Sequence, residues 1–99
     1  MLSWQVGEVR ITCIVETVWP VSPKFLFPQV DRERLGHMHW LKPHFVDEQN
    51  RMLLSIHALL IQSQGQCIMV DTCLGNDKQR DIEAWHMRSG PFLEQMRGA

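Results

Sequence analysis

Ninety-nine residues, 44% hydrophobic and 21% charged, make an ordinary globular composition with room for one domain at most. A net charge of −1 provides no general attraction to nucleic acid or to an anionic membrane, so neither is expected as a partner. The longest apolar run, Ala58-Leu59-Leu60-Ile61, is far short of the roughly 20 residues that cross a bilayer.

The first eight residues lack the basic start and apolar stretch of a secretory signal, which points to a cytoplasmic protein. Residues 9–18 alternate. Val9, Ile11, Cys13, Val15 and Thr17 form the more apolar side, so a strand is predicted with that side toward a core. Residues 4–6 form a short preceding strand, paired through a tight turn at Gly7-Glu8. Pro20 and Pro23 break regular structure, and Trp19, Phe25 and Phe27 either line a cleft or pin this loop. Pro28 is placed to start a short helix over residues 29–35, with Gly36 as its stop. A long loop follows over residues 37–47, rich in His, Trp, Pro and Phe; long loops of this kind often carry function.

Residues 52–62 are apolar on both alternating sides, as are residues 67–70, and Ser63-Gln64-Gly65-Gln66 joins them as a turn. This hairpin is expected to lie in a central sheet layer, covered on both sides. Residues 76–88 are polar, with Ile82 and Trp85 as isolated anchors. Ser89-Gly90-Pro91 then opens a helix whose apolar stripe is Phe92, Leu93 and Met96, with Gly98 as its cap. One two-turn helix covers only part of one side of such a hairpin. An apolar surface larger than the few hundred Å² that monomers expose is therefore expected, calling for association or for more of the domain.

The run Leu59-Leu60-Ile61…Ile68-Met69-Val70-Asp71-Thr72, with Leu74-Gly75 after it, resembles the opening motif of the metallo-β-lactamase superfamily of metal-dependent hydrolases. Trp40-Leu41-Lys42-Pro43-His44-Phe45 ahead of it and Ser89-Gly90-Pro91-Phe92-Leu93 behind it extend the likeness over nearly the whole chain. The fold class implied is α+β, the N-terminal portion of a four-layer αββα sandwich, with residues 1–99 as a single, incomplete half-domain. The activity implied for the parent is hydrolysis of a lactone, ester or amide bond by water activated on one or two zinc ions. The family's His-x-His-x-Asp-His ligand motif has no counterpart in this sequence, and a zinc site needs at least three protein ligands. The resemblance thus assigns no catalytic residue, metal ligand or cofactor to this chain, which is expected to be inactive alone. It gives Asp71 one role, supporting a metal site from behind the ligands, and it makes the remainder of the hydrolase domain, or a self-association partner, the expected companion.

Several residues admit two readings. Asp71 either supports a metal centre or simply accepts hydrogen bonds from the turn after its strand; both readings predict a partly buried carboxylate. His37-Met38-His39, with His44 and Asp47 nearby, could place two imidazoles on one side of extended backbone. As walls of a substrate pocket, His37, His39 and Trp40 fit the family better than as metal ligands. His57, on an otherwise apolar side, reads as a neutral, hydrogen-bonded core histidine, and Cys73 as a small packing residue rather than a nucleophile. Three cysteines are an odd number without framework spacing, so free thiols are expected, with a Cys13–Cys67 bridge as the alternative. The competing function is a non-catalytic β-rich module that dimerises or binds a partner through an uncovered sheet face; a small metal-binding protein using His37, His39 and His44 is the third.

Overall fold

The computed structural model describes every residue, Met1–Ala99. It holds four strands, β1 (Leu2–Val6), β2 (Val9–Val21), β3 (Met52–Ser63) and β4 (Gln66–Val70), and two short helices, α1 (Arg32–Gly36) and α2 (Phe92–Gly98). The strands form one antiparallel sheet in the order β1-β2-β3-β4, so the coarse α+β, β-rich class holds. No helix is long and apolar enough to cross a membrane. The chain divides into two compact units: residues 1–17 with 56–99, and residues 18–55.

In the first unit, two tight turns set the register. Gly7, at φ +60°, and Glu8 join β1 to β2, so that Val6 faces Val9 and Leu2 faces Cys13. Gln64 and Gly65 join β3 to β4 with φ of +50° and +75°. Positive φ at both central residues is the type I′ pattern whose twist matches that of the flanking strands, and it pairs Ser63 with Gln66 and Leu59 with Val70. Glycine takes such a φ without the steric cost a Cβ would add.

The core of this unit is small: Ile14 and Ala58 are fully buried, Leu60 and Phe92 nearly so, with Met69, Cys73 and Met96 packed around them. Phe92 and Met96 come from α2, one helical turn apart, so the helix lies over one side of the sheet. Leu93, expected in the same stripe, is exposed instead. The β2 strand also turns the other way from its apolar pattern: Thr12 and Ile14 are buried, whereas Val15 is exposed. The more apolar set was predicted to face inward, but the helix covers the opposite side and decides the matter. His57 shares the side away from the core, where it is exposed rather than buried. Two covers were expected for the hairpin, and α2 supplies one; Ile68 and Val70, on the other side, are about half exposed. All three cysteines carry free thiols, so Cys13 and Cys67 are not bridged.

In the second unit, Asp31 caps α1 by accepting a hydrogen bond from the Glu33 N–H at 3.0 Å, and the helix ends at Gly36. It is shorter than the predicted 29–35 because the cap sits at Asp31 and not at Pro28. The Arg32 guanidinium donates to the Gln49 carbonyl at 2.7 and 3.0 Å. Asp47 is the hub of the following loop: its carboxylate accepts from the Gln49 and Arg51 N–H groups at 3.0 and 2.9 Å and from Arg51 Nε at 2.8 Å. Val46 is buried and bridges to Met52 at the start of β3. β2 runs through Pro20 to Val21, past the break expected there, and the Trp19 and Phe25 rings meet edge to face, centroids 5.1 Å apart, tying the strand end to the 3-10 turn Pro23–Phe25.

Candidate functional site

The chain leaves β4 through a loop in which Asp71, Cys73 and Gly75 all take left-handed backbone, at φ +73°, +60° and +81°. Two of these are not glycine, and Asp is among the residues that tolerate this region best. The Asp71 carboxylate stabilises its own turn, Oδ1 accepting from the Cys73 N–H at 2.7 Å. The residue is exposed, not partly buried as both readings of the sequence required.

Glu16, near the end of the core-facing row of β2, holds the next stretch. Its Oε1 accepts from the Leu74 N–H at 2.9 Å and its Oε2 from the Gly75 N–H at 3.1 Å. Two adjacent backbone N–H groups converging on one carboxylate form an anion-binding concavity, here filled by the protein's own acid. Behind it the loop is braced again. The Asn76 side chain donates to the Gly90 carbonyl at 2.9 Å and accepts from the Gly90 N–H at 3.0 Å, joining the loop to the start of α2. Arg80 Nη2 donates to the Leu74 carbonyl at 2.7 Å, and the Arg80 N–H donates to His86 Nδ1 at 3.1 Å. A cavity of about 80 Å³ opens among Glu16, Thr72, Gly75, Asn76, Phe92 and Leu93.

This packing tunes Cys73. Burial, followed by the charges of Glu16 and Asp71 and by Cys13, pushes its thiol up to about 11. A thiol so raised is a poor nucleophile at neutral pH, in keeping with its place against the core. Glu16 was not singled out from the sequence. Its signal was there: an acid on the same alternating row as Thr12 and Ile14 needs donors once that row is known to face inward.

The other sequence candidates lie in the second unit. His37, His39 and His44 are exposed, as is Trp40. One cavity in that unit, of about 280 Å³, is lined by Gln29, Val30, Asp31, Arg34, Leu35 and Met38, and another, of about 360 Å³, by Leu26, Phe27, Pro28, Gln29 and Val30; none of His37, His39 and Trp40 lines either. Asp47 is committed to Arg51. Burial raises its carboxyl, but the hydrogen bonds from Arg51 and Gln49 outweigh that effect and hold it below the usual aspartate value. No three His, Cys, Asp or Glu side chains converge in a way that could hold a metal ion.

No family model matches this chain, and neither a curated protein nor a solved structure matches it.

Proposed function

We propose that this chain is the N-terminal half of a metallo-β-lactamase-type hydrolase fold, one antiparallel sheet and its outer helix from a four-layer αββα sandwich. In this reading Asp71 supports a metal site built by other residues. The observation that carries it is the geometry at the end of β4. There an exposed carboxylate stands on left-handed backbone, in a loop that Glu16 and Asn76 tie to β2 and to the start of α2. A group that orients metal ligands must itself be held; the Asp71 carboxylate accepts one hydrogen bond, from the Cys73 N–H, and Glu16 and Asn76 fix the loop that follows it. The sheet with one covered side and one open apolar side also suits half of a sandwich.

The donor groups of this chain do not by themselves fit zinc, since the acid and imidazole groups stand apart and Asp47 is paired to Arg51. No catalytic step is therefore derived for it. Lactone, ester or amide hydrolysis belongs, in this reading, to a protein that also carries the ligands.

Sequencing the coding DNA beyond Ala99 tests the proposal. A strand followed by His-x-His-x-Asp-His within about 30 residues is the expected result, and its absence in every frame overturns the family reading. In a protein carrying that motif, Asp71→Asn is expected to weaken metal affinity by roughly 10–100-fold. For the isolated chain, metal-dependent ester or lactone turnover that is lost on Asp71→Asn would contradict the supporting role.

A further inference from the structure

In the second unit, a short stretch before and through α1 brings apolar walls and two opposite charges to one cleft. The Phe27 N–H donates to the Pro23 carbonyl at 2.9 Å and the Val30 N–H to the Phe27 carbonyl at 3.0 Å, a tight turn with Pro28 and Gln29 at its crest. The Leu35 N–H then donates to the Asp31 carbonyl at 3.0 Å and the Met38 N–H to the Leu35 carbonyl at 3.1 Å, which sets α1 beside that turn. The two cavities of this region meet at Gln29 and Val30, which line both. The larger, about 360 Å³, is within the size range of small-molecule sites.

The two cavities differ in chemistry. The larger has hydrocarbon walls, Leu26, Phe27, Pro28 and Val30, and Phe27 is 54% exposed. The smaller sets the exposed side chains of Asp31 and Arg34 over half-buried Leu35 and Met38. Neither charge is neutralised from within. The ion pair of this unit joins Asp47 to Arg51, the Arg32 guanidinium is taken up by the Gln49 carbonyl, and Asp31 Oδ1 accepts only the Glu33 N–H.

Residues three apart at a helix start are surface neighbours, with Cβ atoms about 5–6 Å apart. A single-charged ligand gains little here. A carboxylate that reaches Arg34 lies beside the like charge of Asp31, and an amine that reaches Asp31 lies beside Arg34. A ligand with an ammonium and a carboxylate on one carbon matches both at once. The adjoining apolar wall suits a large hydrocarbon side chain on that same carbon, and the Phe27 ring favours an aromatic one.

We propose that this cleft binds a free α-amino acid with a large apolar side chain. Its ammonium meets Asp31, its carboxylate meets Arg34, and its side chain lies along Phe27 and Val30. Both charged contacts are open to water, so the binding is modest, with a dissociation constant of roughly 0.1–1 mM. The inference rests on the second unit alone and does not depend on the hydrolase reading.

Nuclear magnetic resonance titration of the full chain with three related probes tests it. Phenylalanine should give saturable shifts at the amides of Val30, Asp31, Leu35 and Met38. N-acetylphenylalanine, which lacks the ammonium, and phenylalaninamide, which lacks the carboxylate, should each bind about threefold more weakly or worse. Arg34→Gln should erase the preference for phenylalanine over phenylalaninamide. Asp31→Asn, which keeps a side chain able to cap α1, should erase the preference over N-acetylphenylalanine. Phe27→Ser, at an exposed position, should weaken all three probes alike, with an unchanged circular dichroism spectrum. The absence of saturable shifts up to about 10 mM phenylalanine overturns the inference. Equal affinity for the three probes overturns it as well, since that is an apolar cleft indifferent to charge. So does tighter binding of either single-charged probe, or a preference that survives both Asp31→Asn and Arg34→Gln.

Discussion

Replacing Phe92 with alanine should be the most damaging single truncation in this chain. Phe92 is 6% exposed and is the one buried side chain that α2 contributes to the core of Ile14, Ala58 and Leu60. A buried Phe→Ala change costs about 3–5 kcal/mol, from lost burial plus the cavity left behind. At about 0.05–0.15 kcal/mol per residue, a chain of this length is stable by roughly 5–15 kcal/mol, so the loss takes from about a fifth of the total to all of it. The helix is only seven residues long, well below the roughly 12–15 at which isolated helices become even marginal, and it should come off the sheet once unanchored. Urea unfolding followed by circular dichroism should show a stability loss of about 3–5 kcal/mol, and thermal unfolding a midpoint lower by about 15–25 °C. Amide exchange should show α2 unprotected. Leu93→Ala, on the exposed side of the same helix, should change stability by no more than about 0.5 kcal/mol. A Phe92→Ala loss below about 1.5 kcal/mol with α2 amides still protected would refute the view that this side chain is what holds the cover in place.

Three further outcomes follow from the loops. Glu16→Gln removes the charge that binds the Leu74 and Gly75 N–H groups and raises the Cys73 thiol. Faster exchange at both amides and faster alkylation of Cys73 near pH 8.5 should appear together, and unchanged exchange would dismiss the clamp. A Cβ at Gly36 would collide with the Asn50 side-chain amide, so Gly36→Ala should destabilise by about 1–3 kcal/mol, whereas Gly36→Ala combined with Asn50→Gly should recover most of it in thermal unfolding. Asp47 titrates below its unfolded value of about 3.8; its folded form therefore binds fewer protons, and its stabilising contribution is present above that pH and fades as pH falls through the folded value. Asp47→Asn should flatten that part of the acid limb in a pH series of thermal midpoints, and an unchanged limb would show that the Arg51 pairing does not matter.

Part of the candidate site was legible because local chemistry fixes it. Asp71 at the end of an apolar strand, followed by Thr, Cys, Leu and Gly, spelled a loop with a carboxylate at its head, and the Asx-type hydrogen bond to the Cys73 N–H needs only neighbours in sequence. The grip of Glu16 on Leu74 and Gly75 joins residues 58 and 59 positions apart, and no local pattern announces it. The same holds for Asn76 and Gly90, 14 positions apart, and for the exposure of His57 on a strand whose composition suggested burial.

By itself the sequence determined the two hairpins, their turns at Gly7-Glu8 and Gln64-Gly65, and the helix after Pro91, because period-two alternation, tight-turn chemistry and helix-start preferences act over a few residues. Which side of the sheet is inside was settled only in three dimensions. Both sides of β2 and β3 are apolar enough to be buried, so the alternation is nearly symmetric, and the choice falls to where Phe92 and Met96 land. With α2 on the row of Ile14, Ala58 and Leu60, Thr12 and Glu16 turn inward and Trp4, Val15 and Ile68 are left facing outward.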